Sequence, residues 1–129
     1  MTLRNCLIAL ALLLTPALAF AHPGHPDAGL LAGISHPLGG LDHLLAMLAV
    51  GLWAAQQSGH SRWSLPLTFM GSMLLGGLLG FAGISLPFAE TAIAGSVLAL
   101  SLLVVVAARL PLLIATSLTA VFALFHGVA

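Results

Sequence analysis

Residues 35–55 read SHPLGGLDHLLAMLAVGLWAA. The stretch has the length of a bilayer-crossing helix, about 20 residues, and is largely apolar. Yet Asp42 and His43 sit inside it, and His36 lies at its edge. An aspartate at the centre of a membrane helix costs roughly 2.5 to 3.5 kcal/mol on insertion scales. The stretch therefore reads as a helix made for lipid that carries groups lipid excludes, and something must offset their cost.

Outward from this segment the chain stays apolar. Of its 129 residues, 60% are hydrophobic and 5% charged, where a soluble domain carries about 25% charged residues; a water-soluble globule is excluded. Three arginines, no lysine and three acidic residues give zero formal charge. No basic surface is available to neutralise phosphates, which excludes nucleic-acid binding. The 14 glycines and 7 prolines follow no fixed period, which excludes collagen-like and low-complexity chains. Polar breaks at Gln56 to Ser64, Ser85 to Glu90 and the Arg109-Leu110-Pro111 corner leave spans near 36–55, 65–83, 91–108 and 111–129. The expected fold is all-α: a polytopic transmembrane helix bundle of about four spans, residues 36–129.

The N-terminus reads as a signal peptide over residues 1–21. Arg4 gives a positive start, Cys6 to Leu14 a short apolar run, and Ala19-Phe20-Ala21 a small-x-small cleavage motif. The alternative is an uncleaved first helix, but the run to Ala21 is short and carries Pro16 near its end. Cleavage after Ala21 removes the single cysteine, Cys6, and with it any disulfide or thiolate chemistry. It exposes His22-Pro23-Gly24-His25-Pro26-Asp27, the start of an external His/Pro-containing segment over residues 22–35. A cleaved signal places the mature N-terminus in the periplasm. Arg62 and Arg109 then fall in cytoplasmic loops, while Asp27 and Glu90 fall outside, as the positive-inside rule requires.

The candidate site is His36, Asp42 and His43. Imidazole nitrogens and a carboxylate are the ligands that divalent transition metals favour, and a bound cation would offset the carboxylate's cost. On one regular helix His36 and His43 would share a face about 10.5 Å apart, with Asp42 turned about 100° from His43. Pro37 and Gly39-Gly40 permit the broken helix that convergence needs. His126, near the outer end of the last span with Thr119 and Ala123 on its side, is a further contributor from a facing helix. His22 and His25 are weaker ligand candidates on the external segment. The competing reading has His36 at the headgroups and Asp42 paired with a group of another helix, with no ligand at all.

Other polar and small residues read as architecture. Gly76, Gly80 and Gly83 form a smooth stripe for close helix approach. Trp53 and Trp63 fit an interfacial aromatic belt, Glu90 a helix N-terminus, and His60 a solvated loop. Met47, Met70 and Met73 read as packing or lipid-facing residues, Met47 sharing the face of His43.

The motif His36-Pro37-x-x-Gly40-x-Asp42-His43-x-x-Ala46-Met47, continued by Val50-Gly51-x-Trp53-Ala54, resembles that of the HupE/UreJ family of bacterial nickel and cobalt permeases. A second motif of that family, Phe-His-Gly-x-Ala-His-Gly-x-Glu, is matched by Phe125, His126, Gly127 and Ala129. The sequence thus reads as a fragment or truncated variant lacking the second His and the Glu. The resemblance implies a permease of the inner membrane, not an enzyme, carrying Ni²⁺ or Co²⁺ for hydrogenase or urease assembly. It implies no cofactor; the expected partners are the divalent metal ion and the lipid bilayer, with a homo-oligomer left open. Two other functions stay open: a haem-binding electron-transfer subunit with His43 and His126 as axial ligands, and a non-transporting assembly or scaffold subunit.

Overall fold

A computed structural model of the protein describes residues 40–129. The expected leader (1–21), the external segment (22–35), and with them His22, His25 and His36, lie outside the described residues. Four α-helices follow in order: α1 Leu41–Gln56, α2 Ser61–Phe81, α3 Ala89–Val105 and α4 Leu112–Val128. Among the described residues there is no strand. By length and composition α2, with 21 residues, is long and apolar enough to cross a membrane; α1, α3 and α4 are shorter apolar helices of 16, 17 and 17 residues.

Terminal chemistry accounts for the shorter helices. Gly40 is extended (φ −90°, ψ 121°), so α1 begins at Leu41 and not at residue 36. At the other end of the molecule, α3 stops at Val105 where an expected span ran to 108. Ala107 is left-handed (φ 48°) and the Ala108 N–H reaches back to the Leu103 carbonyl at 2.9 Å, a Schellman closure made without glycine. Side chains at the end of α1 and its C-cap hold this strained end: Trp53 Nε1 and Gln57 Nε2 both donate to the Ala108 carbonyl, at 2.8 and 2.9 Å, and Gln56 Nε2 donates to the Val104 carbonyl. Trp53 is therefore wholly buried and not part of an interfacial belt, because its N–H has a backbone partner inside the molecule. Trp63 does stand exposed.

The break after α1 is shorter than expected. It covers residues 57–60, and α2 starts at Ser61, leaving Pro66 inside the helix instead of at its start. The glycine stripe also divides in two. Gly76 and Gly80 face α4: a Cβ on Gly76 would stand 2.9 Å from the Gly127 Cα, and one on Gly80 3.0 Å from the Val128 carbonyl oxygen. Gly83 has nothing near it and takes no part in this packing. It is left-handed (φ 82°) and closes α2, with the Ile84 N–H bonded to Leu79 at 3.0 Å.

These ties fix the directions of the helices. The ends of α1 and α3 lie together, as do the ends of α2 and α4, and the start of α1 meets the end of α4. The four helices thus alternate up and down. Arg62 and Arg109 fall at one end of the bundle, and Asp42, His43, Glu90 and His126 at the other. Leu65, Phe69, Val97, Leu100 and Trp53 fill the interior, whereas large apolar side chains such as Leu74, Phe81 and Leu113 are more than 60% exposed. Asp42, His43, Ser96, Ser101, Thr119 and His126 are all buried. An apolar core that also holds six buried polar residues, beneath an exterior rich in large apolar side chains, departs from the polar surface of a soluble protein.

Candidate metal centre

Three helices bring polar groups together at the end of the bundle away from the arginines. α1 supplies Asp42 and His43 from its first turn, where a carboxylate also suits the positive helix end. α4 supplies His126 from its last turn, and α3 supplies Ser96.

Asp42 is bonded to its sequence neighbour. Its Oδ1 accepts the backbone N–H of His43 at 2.9 Å and lies 3.0 Å from His43 Nδ1. The other ring nitrogen, Nε2, is 2.7 Å from the backbone carbonyl oxygen of His126. A carbonyl only accepts, so Nε2 carries a hydrogen. Nδ1 then either donates to an ionised carboxylate or accepts from a protonated one. In both cases the pair holds one shared proton and is neutral as a unit, which offsets the cost of a buried carboxylate.

Gly40 is part of this arrangement. A Cβ there would stand 2.7 Å from Asp42 Oδ1 and 3.0 Å from His43 Nδ1. Its role is to let the carboxylate and the ring close against the backbone, in addition to ending the helix. The rings of His43 and His126 meet edge to face, with centroids 4.9 Å apart, and Phe69 lies against His126 at 6.2 Å.

His126 Nε2 is 2.8 Å from Ser96 Oγ, and Ser96 Oγ donates to the Ile93 carbonyl at 2.7 Å. His126 Nδ1 is buried and has no hydrogen-bond partner among the described residues. Ser96 was not legible as a site residue. Serine in an apolar helix usually bonds its own preceding turn, as Ser101 does to Val97, and nothing in sequence distinguishes the two.

Of the expected ligands, the structure brings Asp42, His43 and His126 together, while His36, His22 and His25 lie outside the described residues. As arranged, no group of three such side chains among the described residues is set to hold a metal ion. Met47 packs against the core, and His60 is exposed at the start of α2. The geometry disfavours the haem alternative: axial ligands aim their nitrogens at one iron from opposite faces of a macrocycle, whereas His43 Nε2 is aimed at the His126 backbone.

The family model described as HupE / UreJ protein matches residues 10–129. The chain belongs to the HupE/UreJ family. Within the family it is similar to Protein HupE of Rhizobium leguminosarum bv. viciae, 48% identical over 118 residues. The match covers 92% of this chain and 62% of that relative, so the chain spans about three fifths of the relative's length. No solved structure matches it. The matched residues include the buried pair at the start of α1 and Phe125-His126-Gly127 at the end of α4.

Proposed function

We propose that the protein is a multi-pass inner-membrane permease for a divalent transition metal, with Ni²⁺ the favoured substrate and Co²⁺ the second, supplying hydrogenase or urease assembly. The observation that carries this reading is the buried Asp42–His43–His126 cluster, joined across α1 and α4 inside a bundle with an apolar exterior. Membership of the HupE/UreJ family supports it. In this reading residues 36–129 form the membrane bundle, residues 1–21 are a removed leader, and residues 22–35 lie in the periplasm with His22 and His25 as weaker ligands. His36 completes the set from before α1. A divalent cation entering the cluster displaces the proton that Asp42 and His43 share, because metal and proton compete for the same lone pairs. Binding therefore weakens with acidification.

A second reading is a scaffold subunit whose polar groups only join helices. The engagement of both His43 ring nitrogens in internal hydrogen bonds favours it. Asp42→Asn separates the two, since it removes the charge and keeps the size. The permease reading expects nickel uptake by cells expressing the intact protein to fall by about tenfold or more, in the range for lost metal-site groups. His60→Ala is the control and retains uptake. Wild-type uptake in Asp42→Asn at normal expression would overturn the permease site and leave helix pairing.

A further inference from the structure

The three groups Ile93, Ser96 and His126 admit one assignment of hydrogens. Ser96 Oγ and the Ile93 carbonyl oxygen are 2.7 Å apart, so a hydrogen lies between them, and only the serine has one. The single hydroxyl hydrogen is thereby used. Ser96 Oγ can meet His126 Nε2, 2.8 Å away, only as an acceptor, so Nε2 carries the ring hydrogen. The neutral ring then bears its lone pair on Nδ1, the atom that is buried and unpartnered among the described residues. His126 is 1% exposed and its ring stands against that of His43.

We propose that Ser96 is a positioning residue for metal binding, which accepts the Nε2 hydrogen of His126 and so fixes the tautomer whose Nδ1 lone pair coordinates a divalent transition metal. The inference rests on the reading of Asp42, His43 and His126 as a cation site. A histidine ligand commonly donates its second ring N–H to an oxygen, which fixes both tautomer and ring orientation. Here that oxygen is a hydroxyl already oriented by a helix carbonyl. It is held two turns into α3, a helix that contributes no ligand of its own among the described residues. The same contact ties α3 to the end of α4, so ring orientation depends on how these two helices pack.

The test uses intact protein in detergent, with nitrogen-15 histidine NMR for the tautomer and Co²⁺ titration by visible absorption for the ligand set. In the wild type the His126 resonances, assigned by their loss in His126→Ala, should show hydrogen on Nε2. Ser96→Ala should mix the tautomers, weaken Co²⁺ binding about 10- to 100-fold and alter the ligand-field bands. Ser96→Thr keeps the hydroxyl and should restore both signatures. Ser101→Ala, an equally buried serine bonded to Val97, is the packing control and should bind Co²⁺ as wild type does. A wild-type His126 protonated on Nδ1 would overturn the proposal even if Ser96→Ala failed to fold. So would a Ser96→Ala protein with unchanged affinity and spectrum while Asp42→Asn loses binding; that outcome spares the cation site. If the wild type binds no Co²⁺, or Asp42→Asn titrates as wild type does, the site reading falls and this inference with it.

Discussion

Asp42 is neutralised by the residue next to it, and this depends on a position that contributes no atom to the pair. Because Gly40 has no Cβ, the carboxylate can fold back onto both the His43 ring and its backbone N–H. Gly40→Ala places a methyl 2.7 Å from Oδ1, and the carboxylate, as the end of a side chain, moves away. The backbone at Gly40 is extended and admits alanine, so the helix should survive while the pair opens. The expected result is a thermal midpoint within a few degrees of wild type with nickel uptake reduced severalfold. A melt that collapses while residual uptake per folded molecule stays normal would assign Gly40 to folding alone. At this scale the expense of Asp42 was legible from its place in an apolar run, but its bond to His43 was not: the expected partner was a cation or a group of another helix, with the two side chains about 100° apart, whereas Oδ1 folds back onto the neighbouring ring. That a shared proton can neutralise the carboxylate was not legible either, because the carbonyl that orders His43 belongs to His126, which is 83 residues away in the chain. Backbone acceptors leave no mark in a sequence.

The glycines separate three physical roles that look alike in the chain. Gly76 and Gly127 sit where α2 and α4 approach backbone to backbone, with a Cβ on Gly127 2.9 Å from both the Gly76 Cα and the Gly77 nitrogen. Backbone cannot move aside as a side chain does. Gly127→Ala should therefore separate the helices and destabilise by about 1–3 kcal/mol, the range for overpacking. Gly83→Ala meets open space but a left-handed φ of 82°, and should lose about 1–2 kcal/mol through the backbone alone. Gly95 lies within α3 with nothing near its Cβ position, so Gly95→Ala should stabilise by about 0.5–1 kcal/mol. Thermal unfolding of the three variants in one detergent ranks them. If Gly127→Ala proved as stable as Gly95→Ala, the close α2–α4 contact would be wrong. A stripe of small residues was readable at i and i+4, and its extension to Gly83 failed because a glycine one turn further along also serves to stop a helix. Trp53 failed for a related reason: its indole N–H has a carbonyl partner in the Ala107–Ala108 closure, and an αL alanine there is not foreseeable from propensity.

In the whole molecule, the two arginine loops and the polar cluster occupy opposite ends, an arrangement reached from side-chain contacts without reference to charge. The number, order and approximate extent of the helices among the described residues were legible because polar breaks in so apolar a chain are few. Several of their ends were not, since the α1 start follows the extended Gly40, the α2 end the left-handed Gly83, and the α3 end a left-handed Ala107 held by side chains from another helix. The alternating directions give the arginines a use: if they mark the cytoplasmic side, the cluster lies at the periplasmic end. Single cysteines test this in a background with Cys6→Ser. Ser85→Cys, exposed in the turn between α2 and α3, lies at the cluster end, and Ser58→Cys, exposed between α1 and α2, at the arginine end. A membrane-impermeant thiol reagent should label Ser85→Cys in cells with a permeable outer membrane and an intact inner membrane, and Ser58→Cys only after the inner membrane is broken. Labelling at both positions in intact cells would contradict a membrane-spanning bundle. The reverse pattern would keep the bundle and invert it, placing the Asp42–His43–His126 cluster at the cytoplasmic end and overturning the periplasmic placement of the mature N-terminus.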